Sequence, residues 1–168
     1  KEILAGTRAG HYAVGGFNFN GYEDAQGIIN GAVTKNSPVI LMASMGAVKY
    51  IGLHQVAGMV KGMAESVDIP VCLHLDHATD YDLIKEAIKC GFTSVMVDAS
   101  AKSYEDNIAD SKMIVDFAKQ YGCSVEAELG KVGGKEENIV VEDASAAFTD
   151  PDDVPRFVSE TGIDALAV

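Results

Sequence analysis

Positive charge is scarce in this sequence: 13 Lys and Arg stand against 25 Asp and Glu, a formal net charge of −12 with a pI near 4.6. Nucleic acid and anionic membrane surfaces are bound through clusters of Lys and Arg, so this balance argues against both as partners. It leaves an anionic substrate open, because a metal ion can dominate the local field. Cysteine is sparse too. Cys72, Cys90 and Cys123 are an odd number with no CxxC pair, and they read as small buried apolar residues of a reducing compartment, here the cytoplasm. No apolar run approaches the ~18 residues of a membrane span. The first residues lack the charged-then-apolar pattern of a signal peptide. No GxGxxG or GxxxxGK(S/T) loop follows the first strand to cradle a phosphate. The chain opens at Lys1 without Met and already in a helical pattern, so residues are expected ahead of it.

What is present is a strict alternation of strand and helix in 168 residues of ordinary globular composition, 48% hydrophobic and 23% charged. Strand-like runs cover 13–19, 39–43, 71–76, 94–98, 124–129 and 165–168. Helical patterns cover 23–34, 53–66, 81–89, 105–121 and 152–160. Asp80 precedes one helix, and Pro151 with Asp152 and Asp153 opens another. Gly91, Gly122 and Gly162 each stand just past a helix end.

Such alternation means a parallel sheet with right-handed crossovers, either doubly wound or closed as a (β/α)8 barrel. Polar residues end successive strands: Asn18 and Asn20, Ser44, Asp76 with His77, Asp98, and Glu128. Functional side chains drawn from many strand ends at one rim mark the barrel. A barrel of this kind needs ~250 residues. The expectation is therefore an α/β TIM barrel, one domain over residues 1–168, incomplete at the C-terminus and holding about strands 1 to 6. Residues 130–150, between strand five and its helix, lack a regular pattern and contain Gly130, Gly133 and Gly134. Loops of that length are usually lids or disorder, so this is the expected mobile segment. Its Lys135-Glu136-Glu137 cluster reads equally well as a solvated turn.

The strand of residues 71–76 is the most informative. A buried parallel strand should be a near-continuous run of Val, Ile and Leu, yet this one holds His74 and Asp76 and is followed by His77. Ligands of α/β sheets sit at the carboxyl ends of strands. An Asp beside a His there can supply a proton-transfer group and a metal ligand side by side. His74 and Asp76 share a strand face, and satisfying each other inside a barrel is the competing explanation.

Six segments together, GGFNFN (15–20), SPVILMASMGAVKYIG (37–52), PVCLHLDHATD (70–80), GFTSVMVDAS (91–100), EAELGKVGG (126–134) and FVSETGIDALAV (157–168), resemble the class II, metal-dependent ketose-bisphosphate aldolases. The resemblance spans essentially the whole chain, in order. ASMGAVKYIG and GFTSVMVDAS look more like fructose-1,6-bisphosphate aldolases than tagatose-bisphosphate aldolases. It implies reversible cleavage of fructose 1,6-bisphosphate to dihydroxyacetone phosphate and glyceraldehyde 3-phosphate. His77 becomes one of three His ligands of a catalytic Zn²⁺. Asp76 becomes the acid/base at the aldehyde oxygen, and Glu136 the carboxylate that removes the carbon-bound proton of dihydroxyacetone phosphate. Asp98 and Glu128 fall on a second divalent metal position, and Asn18 and Ser44 on substrate-contacting ones. A monovalent cation and a homodimer or homotetramer are implied as well.

The chemistry is coherent, since a Zn²⁺ with open positions is a Lewis acid for the enediolate formed next to a ketone. No strand ends in a Lys that would form a Schiff base. A carboxylate beside a dication is normally held ionised, so Asp76 would donate a proton only if closure and desolvation raise its pKa. The family's other two zinc His ligands follow the sixth and seventh strands, beyond residue 168. His11 and His54 read as solvated or packing residues, and His74 as barrel interior. Competing readings are a non-catalytic phosphosugar-binding barrel fragment and another barrel metalloenzyme, such as a divalent-metal hydrolase.

Overall fold

A computed structural model describes residues 1–130, 134–136, 139–141 and 148–168. Six strands make the main sheet: β1 (Gly15–Asn18), β2 (Val39–Ser44), β3 (Val71–Ala78), β4 (Ser94–Val97), β5 (Ser124–Glu128) and β8 (Ala165–Ala167). All pair in parallel, in the spatial order β1-β2-β3-β4-β5-β8. Each new strand joins the same growing edge. The order never reverses, so every crossover runs the same way and the helices collect on one face, whereas a doubly wound sheet needs a reversal. The result is a partial barrel.

The crossovers carry α2 (Tyr22–Thr34), α3 (Met45–Ile51), α4 (Leu53–Glu65), α5 (Tyr81–Cys90), α6 (Tyr104–Ala118) and α7 (Val154–Thr161), after a short α1 (Thr7–Gly10). The start signals hold at α5, where Asp80 Oδ1 accepts from the amides of Asp82 and Leu83 at 3.1 Å. At α6 the Ser103 hydroxyl accepts from the Asp106 amide and donates to its carboxylate. Gly91, Gly122 and Gly162 end their helices at φ of +100°, +66° and +70°, where a side chain would be strained.

Strand alternation divides the sheet. Leu41, Ala43, Leu73, Leu75, Val95, Val97, Val125 and Ala127 are buried with helix residues Ile29, Val56, Val60, Ile84, Ile114 and Phe157 in one apolar core. The intervening residues face the barrel lumen, in rows set by the register: Met42 beside His74, His74 beside Ser94, Ser94 beside Ser124, and Ser44 beside Asp76.

Four local expectations need correction. Residues 45–51, assigned to no element from sequence, form α3, because Ser44 ends a strand and caps a helix at once. The helix after residue 150 starts at Val154, with Pro155 rather than Pro151 in its first turn. Only Cys123 is buried, Cys72 and Cys90 being half-buried. The 130–150 segment is not wholly irregular, since β6 (Gly134–Glu136) pairs antiparallel with β7 (Ile139–Val141). The expected mobility of 130–150 falls largely on residues outside those described.

Candidate metal and proton-transfer site

All the expected site residues of the main sheet lie at the carboxyl ends of its strands. Asn18 ends β1, Ser44 ends β2, Asp98 follows β4 and Glu128 ends β5. Period-two alternation alone would put His77 beneath the helices with Leu73 and Leu75. It does not go there. The β3–β4 register shifts between Leu75 and Ala78, and His77 takes φ +44°. A bulge of this kind re-aims a side chain, and the left-handed backbone costs on the order of 1–3 kcal/mol. The strand is re-secured beyond it, where the Asp98 amide donates to the Ala78 carbonyl at 2.9 Å.

So aimed, His77 Nδ1 lies 3.2 Å from Asp98 Oδ2 and 3.4 Å from Glu128 Oε2. Both carboxylates are buried. Asp98 is well satisfied, its Oδ1 accepting from the Ser100 amide at 3.1 Å and from the Ser100 hydroxyl at 2.7 Å. Burial works against its ionisation, but the hydrogen bonds from His77 and Ser100 outweigh it and hold the carboxyl below the ordinary Asp range. Glu128 is different. Its Oε2 is buried, in ion-pair range of His77, but receives no hydrogen bond. One imidazole nitrogen cannot serve two carboxylates well, and a buried acceptor without a donor is costly. A bound cation would remove that imbalance. His77, Asp98 and Glu128 each bring a ligand atom within 4.8 Å of the others, and an imidazole with two carboxylates is a donor set suited to a divalent metal.

Asp76 sits beside this cluster, its Oδ2 accepting from Asn18 Nδ2 at 2.8 Å across the width of β2. Ser44 is engaged with the backbone, accepting from the Ala47 amide at 3.2 Å. His74 stays apart from the triad, with Nδ1 2.8 Å from Ser94 Oγ and Nε2 3.7 Å from the Glu126 carboxylate. Burial lowers its pKa to about 4, so the ring is neutral near pH 7. Glu126 is pushed the other way, raised by burial and then by Asp76. Glu136 closes β6, paired with Ile139, and its side chain lies outside the described residues. His11 ends α1 and His54 lies in α4 with Nδ1 3.4 Å from Cys90 Sγ, so neither belongs to the triad.

Sequence reasoning missed three residues of this region: Ser100, Glu126 and Asn107. The signal for Ser100 was its place two residues past Asp98, the spacing of a local side-chain turn. Glu126 shares a strand face with Glu128. Asn107 is a buried polar residue among apolar ones on α6.

Titratable groups at the carboxyl ends of a singly wound parallel sheet, converging with an imidazole and two buried carboxylates, define a (β/α) barrel with a metal-type site at its functional rim. A sequence model of the class-II fructose-bisphosphate aldolases matches residues 1–168, and the chain belongs to that family of carbon–carbon lyases. It is 44% identical over 170 residues to a fructose-bisphosphate aldolase of Staphylococcus aureus (strain Mu50), covering 99% of this chain and 59% of that protein. It is also 44% identical over 168 residues to a fructose-bisphosphate aldolase of Helicobacter pylori (strain J99), covering 55% of it. The crystal structure of the YdjI aldolase from Escherichia coli K12 superposes with a TM-score of 0.81 at 36% identity, over 95% of this chain and 56% of that one. The chain thus spans little more than half the length of these relatives. Class-II aldolases are metal-dependent, and His77, Asp98 and Glu128 are a group among the described residues whose ligand atoms could hold a metal ion. Among the described residues no helix is long and apolar enough to cross a membrane.

Proposed function

We propose that the protein is a zinc-dependent aldolase that reversibly cleaves fructose 1,6-bisphosphate to dihydroxyacetone phosphate and glyceraldehyde 3-phosphate. Residues 1–168 are about the first six strands of its single barrel domain. The observation that carries the reading is the convergence of His77, Asp98 and Glu128 within 4.8 Å at the strand ends, in a chain of this family.

His77 serves as a ligand of the catalytic metal, and Asp98 with Glu128 offers a second divalent position beside it. A bound metal supplies a Lewis acid for the substrate ketone. Asp76, oriented by the Asn18 amide, moves a proton at the aldehyde oxygen. Glu136 takes the carbon-bound proton of dihydroxyacetone phosphate from the segment after β5. Asn18 and Ser44 contact the phosphosugar, with Ser44 also fixing the start of α3. A monovalent cation belongs to the same reading, and the protein works as a homodimer or homotetramer in the cytoplasm.

The test is an aldol-cleavage assay of the full-length protein on fructose and tagatose bisphosphates, before and after metal removal. Cleavage of the fructose ester that falls with chelation and returns with Zn²⁺ is expected. Preference for the tagatose ester would correct the sugar. Binding of either ester without cleavage would leave a phosphosugar-binding barrel in place of an enzyme.

A further inference from the structure

Glu128 poses a question of orientation. Its Oε2 lies in ion-pair range of His77 but receives no hydrogen bond, so the placement of its backbone bears directly on where the carboxylate lies. On one side that backbone is held by β8, with Glu128 opposite Ala167 and the Leu129 amide donating to the Ala167 carbonyl at 3.1 Å. On the other side the ladder has run out. The last β4–β5 pair is Val97 with Ala127, because beyond Val97 the chain turns to bring Asp98 to the site.

A side chain takes over there. Asn107 Nδ2 donates to the Glu128 carbonyl at 2.8 Å. The Asn107 amide oxygen in turn accepts from the Ser111 hydroxyl at 3.1 Å, one turn further along α6. Asn107 is 2% exposed and Ser111 0%, on a helix face otherwise made of Ile108, Ile114, Val115 and Ala118. Polar groups so deep in a core are costly unless paired, and here each link of the Ser111–Asn107–Glu128 chain pairs the next.

We propose that Asn107, backed by Ser111, is a positioning residue for the metal site. It continues the β4–β5 ladder by one rung, fixes the end of β5, and so turns the Glu128 carboxylate toward His77 and Asp98. The inference rests on the metal reading of that triad. Groups that orient metal ligands typically set affinity by about 10–100-fold.

The experiment is a Zn²⁺ titration of the full-length protein against a competing chelator, run alongside melting of the metal-free form. Asn107→Ala should weaken Zn²⁺ binding about tenfold or more, in line with the effect of such outer groups. Ser111→Ala, which leaves the Asn107 amide in place but unsupported, should weaken it by a smaller factor. Ile114→Val, a core change on the same helix, should lower the melting temperature of the metal-free form and leave the affinity unchanged. If Asn107→Ala is too unstable to purify, the Ser111→Ala and Ile114→Val pair carries the comparison. Glu128→Gln separates the two levels of the argument. If it weakens Zn²⁺ binding while the Asn107 and Ser111 variants do not, the positioning role is wrong and the triad stands. If Glu128→Gln leaves Zn²⁺ binding unchanged both at the catalytic position and at the second one beside it, the triad reading fails and the positioning role with it.

Discussion

The two faces of the sheet are built from the same strands and obey opposite rules. On β3, Leu73 and Leu75 point to the helices and are buried among apolar residues, while His74 and Asp76, their immediate neighbours, point to the lumen. The helix face is a core that any well-shaped set of apolar side chains could fill. The lumen rim instead places titratable groups within hydrogen-bonding reach of one another, and one of them, His77, gets there only through a bulge and a strained backbone. Stability and chemistry are therefore separable residue by residue, and substitutions on the two faces should fail in different ways.

The largest effects belong to the rim. His77→Ala should abolish both aldol cleavage and exchange of the carbon-bound proton of dihydroxyacetone phosphate, and should lose bound metal. Glu136→Ala should abolish both reactions with metal retained. Asp76→Ala should cripple cleavage yet leave appreciable exchange. Each acid–base loss should be ~10²–10⁴-fold, read by a coupled cleavage assay and by NMR of the exchanging proton. Equal loss of exchange in the Asp76 and Glu136 variants, with metal retained in both, would show the division of labour to be wrong.

The core face should respond in stability alone. Leu75 is fully buried, and Leu75→Ala should cost about 2–5 kcal/mol in urea unfolding. Zn²⁺ affinity of the folded protein should stay close to that of the unmodified chain. A large affinity loss there would erase the separation of faces.

The smallest effect is one of pH. His74 titrates at about 4 in the fold against an ordinary 6.5, so as pH falls the unfolded chain takes up this proton first. The stability it contributes is complete above about pH 6.5 and is lost as pH drops toward 4, by at most about 3 kcal/mol. In His74→Gln, unfolding free energy should fall less steeply over that interval. An unchanged slope would mean that the ring takes up its proton in the fold at the same pH as in the unfolded chain.

The sequence made the helix face legible because burial repeats at short range. Runs of Val, Ile and Leu gave β2, β4 and β5 to within a residue or so, and Asp80 and the three glycines marked helix ends. It was less informative where a residue serves two elements, as Ser44 does, or where strands have only three residues, as in β6 and β7. At the rim, the strand ends were visible as polar residues closing apolar runs, which pointed to Asn18, Ser44, Asp76, Asp98 and Glu128. Their grouping was not. His77, Asp98 and Glu128 are far apart in sequence, and alternation taken alone sends His77 to the wrong face. Their joint role came from resemblance to a family, whereas their meeting depends on a bulge fixed by a contact to the next strand. Asn107 was hidden for the same reason, since its partner is a backbone carbonyl 21 residues away.

The central claim is that the rim ligands hold a metal, and anomalous diffraction at the zinc edge tests it most directly. Crystals of the full-length protein grown with Zn²⁺ should show a peak ~2.0–2.1 Å from a His77 ring nitrogen, beside the Asp98 and Glu128 carboxylates. A saturated crystal with no peak there, or with zinc bound only elsewhere, would contradict the account.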